Sequence, residues 1–134
     1  MYYVGRSAVL GSFEKLENYE KRLLEEAFKR AEFVYVGIAA DDEDRRIKAK
    51  VRKLSKLLAA RYPGRYQVVE VRSEFAPAVE DEEVHTLVVP SAELARGIND
   101  TRKGRGLKPL LIVEVPPQAS QSGQEAPQEL DEDG

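Results

Sequence analysis

The apolar residues of this chain fall into five short runs separated by stretches with helical spacing. The runs are Ala8–Leu10, Phe33–Ile38, Tyr66–Val71, Thr86–Val89 and Leu110–Val115. Most of them are continuous Val, Ile and Leu sequences, which is typical of strands that are covered on both faces of a parallel sheet. The pattern therefore predicts five strands in a parallel sheet.

The stretches between the runs predict helices. Apolar side chains recur every three or four residues from Leu16 to about Arg30, and again from Ile47 to Arg61, where Pro63-Gly64 follows. A third, shorter helix is predicted from about Ser91 to Thr101, with Ser91 as its N-terminal cap. Strands that alternate with helices indicate an α/β fold with right-handed crossovers, in which ligands bind at the carboxyl ends of the strands.

Composition sets the domain organisation and excludes several classes of site. Residues 1–117 are predicted to form one domain, and residues 118–134, rich in Gln, Ser, Gly, Pro and acids, a disordered acidic tail that is dispensable for folding. The tail contains five acidic residues and no basic one, so with a net charge of −3 for the whole chain residues 1–117 carry +2, and nucleic-acid binding is not indicated. The chain has no Cys and one His, which excludes disulfides and Cys- or His-rich metal sites. No apolar run reaches the ~20 residues of a membrane span, and we expect a cytoplasmic protein.

The first predicted strand leads into a recognisable segment. It is followed by the turn Gly11-Ser12-Phe13-Glu14-Lys15-Leu16 and then by Glu17-Asn18-Tyr19-Glu20 at the start of a helix. This order resembles the archaeal-type phosphopantetheine adenylyltransferases of the cytidylyltransferase-like nucleotidyltransferase superfamily, whose G-T-F-D-x-L turn precedes H-x-G-H. The turn is kept with conservative changes. Glu17 and Glu20, however, stand at the two histidine positions, and Tyr19 stands at the glycine position.

The resemblance extends over about residues 7–116, in the family's order. Val36-Gly37-Ile38-Ala39-Ala40-Asp41 is similar to a strand and its G-[LV]-T-S-D turn, and the segments at 73–78 and 84–91 are similar to D-x-[YF]-G-P and D-x-[LI]-V-V-S. Ile98-Asn99-Asp100-Thr101-Arg102 and the run at 105–110 are similar to I-N-x-x-R…R-G-L-x-P-L. The resemblance implies a Rossmann-like nucleotidyltransferase fold, with a five-stranded parallel sheet and helices on both faces. We expect Gly11–Glu20, Gly37–Asp44 and Asn99–Arg102 to converge at the carboxyl edge of that sheet.

The resemblance also implies a set of site residues. Nucleotide and phosphate contacts fall on Gly11, Ser12, Phe13, Asn99 and Arg102, and Arg suits phosphate because its planar fork makes paired hydrogen bonds. The family's catalytic lysine falls on Lys48 or Lys50, with Lys48 as the candidate, and its substrate contacts fall on Arg52 and Asp41. The alternative, that these basic residues form a solvated helix face, stays open.

The changed helix start bears directly on the family's chemistry. There, imidazoles donate hydrogen bonds to a triphosphate seated on the helix N-terminus. Ionised Glu17 and Glu20 can only accept hydrogen bonds, and they repel phosphate; two unit charges ~4 Å apart interact by about 4 kcal/mol at an effective dielectric near 20. Tyr19 adds bulk at the same place. Alternatively, Glu17 and Glu20 hold Mg²⁺ with ATP, or the acids only favour the helix dipole.

Three hypotheses for function follow. The first is a diverged paralogue with weak or no catalysis, which would bind a nucleotide or a coenzyme A-type ligand; the family reaction converts ATP and 4′-phosphopantetheine to dephospho-coenzyme A and pyrophosphate. The second is an active nucleotidyltransferase that uses Mg²⁺ at Glu17 or Glu20, with Lys48 and Arg102 on phosphate. The third is a non-enzymatic regulatory or interaction module that binds a protein partner.

Overall fold

The structure is a computed structural model that describes residues 4–14, 18–40 and 45–117. Its strands are β1 (Arg6–Gly11), β2 (Phe33–Ala39), β3 (Tyr66–Val71), β4 (Val84–Val89) and β5 (Leu111–Glu114). Its helices are α1 (Asn18–Phe28), α2 (Ile47–Arg61), α3 (Ala76–Glu80) and α4 (Ile98–Gly104), with a 3₁₀ helix at Ala92–Ala95. The predicted acidic tail lies outside the described residues. No helix within those residues has the length and apolar character of a membrane span.

The five strands form one parallel sheet in the order β3-β2-β1-β4-β5. The central strand, β1, pairs with β2 on one side, where Gly11 lies opposite Ile38, and with β4 on the other, where Ala8 lies opposite Leu87. The predicted five-stranded parallel sheet is therefore confirmed. Because the strand order reverses between β1 and β4, a crevice is expected at the carboxyl ends of these two strands.

Helices cover both faces of the sheet, as predicted. Side chains alternate between the two faces along each strand. Val9 and Val36 point to the face where α1 and α2 pack, together with the fully buried Leu54. Ala8 and Leu87 point to the opposite face, which carries α3 and the segment that leads into α4. Both faces of the central strands are therefore buried from solvent, which explains why those strands are continuous apolar runs.

The predicted third helix is wrong as a single element. The structure divides it into the 3₁₀ helix and α4, because Gly97 between them adopts a left-handed conformation with φ 83° that interrupts the helical hydrogen bonds. Ser91 does cap the first piece, its hydroxyl accepting a hydrogen bond from the Glu93 backbone N–H at 3.3 Å. The five-residue helix α3, which has Pro77 in its first turn, was not predicted.

A carboxylate network braces the amino edge of the sheet. Asp81 Oδ2 accepts hydrogen bonds from Arg6 Nη1 at 2.5 Å and from the Tyr35 hydroxyl at 2.7 Å, while Oδ1 accepts from the Glu83 N–H at 2.8 Å. Burial raises the pKa of Asp81, but the hydrogen bonds from Tyr35, Glu83 and Arg6 outweigh it and hold the pKa below its ordinary value. Since this network ties β1 and β2 to the loop before β4, the polar groups of this edge are engaged in structural contacts.

Gly37, in the middle of β2, lies on the face of the sheet that carries α3, and a substitution there tests the packing on that face. A Cβ at this position would lie 2.8 Å from Cζ of Phe75 and 2.9 Å from Cγ2 of Val71. We expect Gly37→Ala to lower the free energy of unfolding by about 1–3 kcal/mol, because the buried Phe75 ring must shift. Denaturant unfolding measures the change.

The matched control is Gly104→Ala, where no heavy atom lies within 4 Å of the added Cβ. That variant should leave stability unchanged, or raise it by up to about 1 kcal/mol, because Ala favours the helix. Equal losses in the two variants would contradict the packing described for Gly37.

Candidate functional site

The turn after β1 has an unusual backbone. Phe13 adopts φ 51°, a conformation that bulky residues rarely take. Its ring is only 3% exposed and folds back over Gly11, where an added Cβ would lie 3.3 Å from Phe13 Cε2. The glycine therefore leaves room for the ring, and burial of the ring stabilises the turn. The flanking residues Ser12 and Glu14 are exposed at the carboxyl edge of the sheet.

Glu14 connects this turn to α2 through two cations. Its Oε1 accepts a hydrogen bond from Arg46 Nη2 at 2.9 Å, and its Oε2 accepts one from Lys50 Nζ at 3.0 Å. The Lys50 side chain is only 8% exposed, whereas that of Glu14 is 45% exposed. An ammonium group with little access to water is costly unless an anion compensates it. Among the described residues, the Glu14 carboxylate contributes to that compensation.

A small cavity opens beside this ion pair. It has a volume of about 150 Å³ and is lined by Phe13, Glu14, Arg46, Ala49, Lys50 and Lys53. We call it the Lys50 crevice. At about 30 Å³ for each water molecule, it has room for roughly five of them. Among the described residues of the lining, Arg46, Lys50 and Lys53 are cationic and Glu14 is anionic, a set that suits an anion.

The structure places Lys50 in this crevice, beside Lys53, and not the candidate Lys48. Lys48 and Arg52 are exposed on the outer face of α2, and neither lines the crevice. The periodicity of α2 contained this information: Lys50 lies three residues after the buried Ile47 and four before the buried Leu54, on the face that packs inward. Glu14 and Arg46 were also missed as site residues. Their contact with each other joins positions that are distant in the sequence.

Tyr19 closes the start of α1. Its hydroxyl donates a hydrogen bond to the carbonyl oxygen of Val115 at 2.5 Å, and its ring packs against the core on the α1 face. Burial raises the pKa of Tyr19, with Glu20 and Glu114 adding to the effect and Arg22 opposing it. The phenol is therefore a neutral donor near pH 7, and it fastens the first turn of α1 to the segment after β5.

Arg102 and Asn99 do not reach the carboxyl edge, and this part of the prediction is wrong. The guanidinium of Arg102 donates to the carbonyl oxygens of Lys108 (2.7 Å), Ala78 (2.8 Å), Asp81 (3.1 Å) and Val84 (3.3 Å). Val84 is the first residue of β4, so this group lies towards the amino edge. The Asn99 side chain is bonded to the backbone of Leu110, donating at 3.1 Å and accepting at 2.7 Å. Both side chains have structural roles here.

A second cavity, of about 240 Å³, lies on the opposite face of the sheet. It is lined by Leu10, Val71, Ser73, Glu74, Phe75, Val79, Leu94, Arg96, Gly97, Ile98 and Thr101. Leu10 and Val71 stand at the carboxyl ends of β1 and β3, so this cavity opens at the same edge as the Lys50 crevice. Its lining combines apolar side chains with the polar groups of Ser73, Glu74, Arg96 and Thr101 in similar measure.

Some predicted site residues lie outside the described residues, namely Glu17 and Asp41. Within residues 4–14, 18–40 and 45–117, no three His, Cys, Asp or Glu side chains are grouped as metal ligands. Among the described residues, the carboxylate that lines the Lys50 crevice, Glu14, has both oxygens on cations, an arrangement that does not fit Mg²⁺ coordination. The described residues thus offer an anion site in this region.

Comparison with known sequences identifies relatives of one kind. No family model matches the chain. The phosphopantetheine adenylyltransferase of Thermococcus kodakarensis is 27% identical over 118 residues, covering 79% of this chain and 71% of that protein. Those of Methanopyrus kandleri and Methanothermobacter thermautotrophicus are each 28% identical over 117 residues, covering 79% and 81% of this chain and 74% and 71% of those proteins. The chain is thus similar to phosphopantetheine adenylyltransferases over about four-fifths of its length.

Comparison with solved structures supports the fold. The crystal structure of a protein of unknown function from Archaeoglobus fulgidus matches with a TM-score of 0.66 at 21% identity, covering 92% of this chain and 99% of that one. At this identity the match concerns architecture alone. It agrees with the Rossmann-like nucleotidyltransferase fold that the sequence predicts.

The structural role of Arg102 can be tested through stability. Because burial leaves its side chain only 1% exposed, we expect Arg102→Lys to lower the free energy of unfolding by about 2–4 kcal/mol, since one ammonium cannot satisfy four separated carbonyl oxygens. Arg96→Lys, at a site where the side chain is 77% exposed, is the control and should be neutral. A stable Arg102→Lys variant would contradict the structural role.

Proposed function

We propose that this phosphopantetheine adenylyltransferase-like protein keeps an anion-binding crevice at the carboxyl edge and has weak or no adenylyl transfer. The observation that carries the proposal is the hydrogen bond from Tyr19 to Val115, at 2.5 Å. In the family, the resemblance gives this position to the glycine of H-x-G-H, which lets the backbone approach a phosphate. Here the aromatic ring occupies the helix start.

Opening that helix start would be costly. The Tyr19 hydroxyl would lose its carbonyl partner, and the ring would leave a packed core that includes Leu23. A phosphate placed there would also meet Glu20, which follows directly in the first turn of α1. An ionised carboxylate offers no donor to a phosphate oxygen and repels it. We therefore infer that a triphosphate is not held in the family's manner at this helix.

The side chains that the resemblance assigns to phosphate contacts, Arg102 and Asn99, already donate their hydrogen bonds to the protein backbone. Arg102, the residue that the resemblance assigns to phosphate, has donors from all three of its guanidinium nitrogens on backbone carbonyl oxygens. Asn99 is paired with Leu110. Because the loss of a single oriented donor lowers kcat by about 10²–10³ in enzymes that stabilise an oxyanion, the loss of several supports weak or absent turnover.

Two cavities at the carboxyl edge support the binding of a phosphate-containing ligand. Arg46, Lys50 and Lys53 line one crevice next to the turn at Phe13, on the carboxyl side of the sheet. The second cavity, at the same edge, has both apolar and polar groups in its lining and offers space for another part of a ligand. A ligand that joins a phosphate to a longer, less polar arm fits both features. A nucleotide or a coenzyme A-type molecule has that chemistry.

The proposal makes a direct prediction for the wild-type protein. Incubation with ATP, Mg²⁺ and 4′-phosphopantetheine should release no pyrophosphate above background, while calorimetry should detect binding of at least one of ATP, coenzyme A and dephospho-coenzyme A. The variant Glu17→His/Tyr19→Gly/Glu20→His should bind ATP more tightly, most clearly at low salt, where the removed repulsion is least screened.

The control is Glu25→His, which makes the same kind of charge change on an exposed position of α1 away from its start. It should leave ATP affinity within about twofold of wild type. Robust wild-type turnover that is lost on Glu17→Ala or Glu20→Ala would overturn the proposal and favour the active enzyme with Mg²⁺ at these carboxylates.

A further inference from the structure

We propose that Glu14 is an internal competitor for the anion site, so that a phosphate ligand binds Lys50 by displacing the Glu14 carboxylate. This inference rests on the proposed function, because it takes Lys50 as the anion contact of the crevice. The ligand class is a phosphate or diphosphate group with at least two negative charges.

The geometry shows that one carboxylate already occupies the place of a ligand. The two oxygens of Glu14 lie 2.9 Å from Arg46 Nη2 and 3.0 Å from Lys50 Nζ. Two oxygens of one phosphate group bridge a pair of cations in a similar way, since each N–H donor takes one oxygen. An incoming phosphate and the Glu14 carboxylate therefore compete for the same donors.

The difference in burial decides which partner moves. Lys50 is held in the wall of α2 with its side chain 8% exposed, while the Glu14 side chain is 45% exposed and can turn into water. Arg46 is 71% exposed and can follow either partner. Moving Glu14 out alone would take one counter-charge away from the buried Lys50 ammonium, which is costly. Displacement is favourable when another anion arrives, so we expect an exchange of anions.

The charges around the crevice set the ligand class. With Glu14 in place, the carboxylate offsets one of the three cations Arg46, Lys50 and Lys53. With Glu14 displaced, all three face the ligand. A singly charged anion only replaces what Glu14 already provides, whereas a dianionic phosphate or a diphosphate adds charge interactions that the carboxylate cannot make. Weak monoanions should therefore compete poorly with Glu14.

The test is a titration with inorganic pyrophosphate, followed by calorimetry at fixed pH and low ionic strength. The Glu14→Gln variant should bind pyrophosphate about tenfold more tightly than wild type, a difference of about 1.4 kcal/mol. Lys50→Met should bind it weakly. In the Lys50→Met background, Glu14→Gln should raise the affinity clearly less than in the wild-type background, because only the competition for Arg46 remains.

The matched control is Glu70→Gln. Glu70 is 41% exposed and is paired with Arg72 at 3.4 Å, so this change removes one negative charge from a comparable ion pair elsewhere on the sheet. Its effect on pyrophosphate affinity should stay within about twofold. An unchanged or weaker affinity in Glu14→Gln would overturn the inference, as would an equal gain in the Lys50→Met background.

Folding is followed for each variant by thermal unfolding. If Glu14→Gln does not fold, Glu14→Asp serves instead: its shorter side chain keeps the charge but spans Arg46 and Lys50 poorly, so pyrophosphate should still bind more tightly than to wild type. A weaker or equal affinity in Glu14→Asp would then overturn the inference. The titration needs neither nucleotide binding nor turnover, so an active wild-type enzyme would overturn the proposed function without deciding the role of Glu14.

Discussion

The left-handed backbone at Phe13 is the constraint that joins the core of this protein to its candidate site. β1 is the central strand, and the chain must leave its carboxyl end without disturbing the pairing with β2 and β4. Phe13 meets this requirement at φ 51°. Its ring is buried over Gly11, which has no Cβ to crowd the ring. The same turn presents Glu14 to α2. Core packing thus fixes where a carboxylate meets Lys50.

The Lys50 crevice differs from the other positions that the family resemblance assigns to the site in how its polar groups are used. At α1 and α4, side chains that the family resemblance links to phosphate have partners within the protein: Tyr19 is bonded to Val115, and Arg102 to backbone carbonyls. At the Lys50 crevice the cations are held by a carboxylate that is itself half-exposed. The first kind of contact is hard to exchange for a ligand and the second is easier. Under the proposed function, this difference would let binding persist at the Lys50 crevice without adenylyl transfer.

Local sequence patterns were sufficient for most of the fold. Continuous apolar runs identify strands that are covered on both faces, and all five appear where expected. The prediction failed at Gly97, because one left-handed residue divides a segment whose composition still favours a helix. It also missed α3, since five residues are too few to show helical periodicity.

The candidate site was less accessible to sequence reasoning, for two different reasons. The sequence could have favoured Lys50 over Lys48, because only Lys50 shares the inward face of α2 with Ile47 and Leu54. The contact between Glu14 and α2 could not be predicted from the sequence, because it depends on the crossover that brings α2 over the end of β1. The role of Arg102 likewise depends on which way a buried guanidinium turns, and motif similarity does not determine that direction.

The most direct test of this account is a crystal structure of the protein grown with ATP or pyrophosphate. The account predicts phosphate oxygens within hydrogen-bond distance of Lys50 Nζ and Arg46, Glu14 turned into solvent, and the Tyr19 hydroxyl still on Val115. Phosphates seated on the first turn of α1, with Tyr19 moved aside and Glu14 still on Lys50, would contradict it.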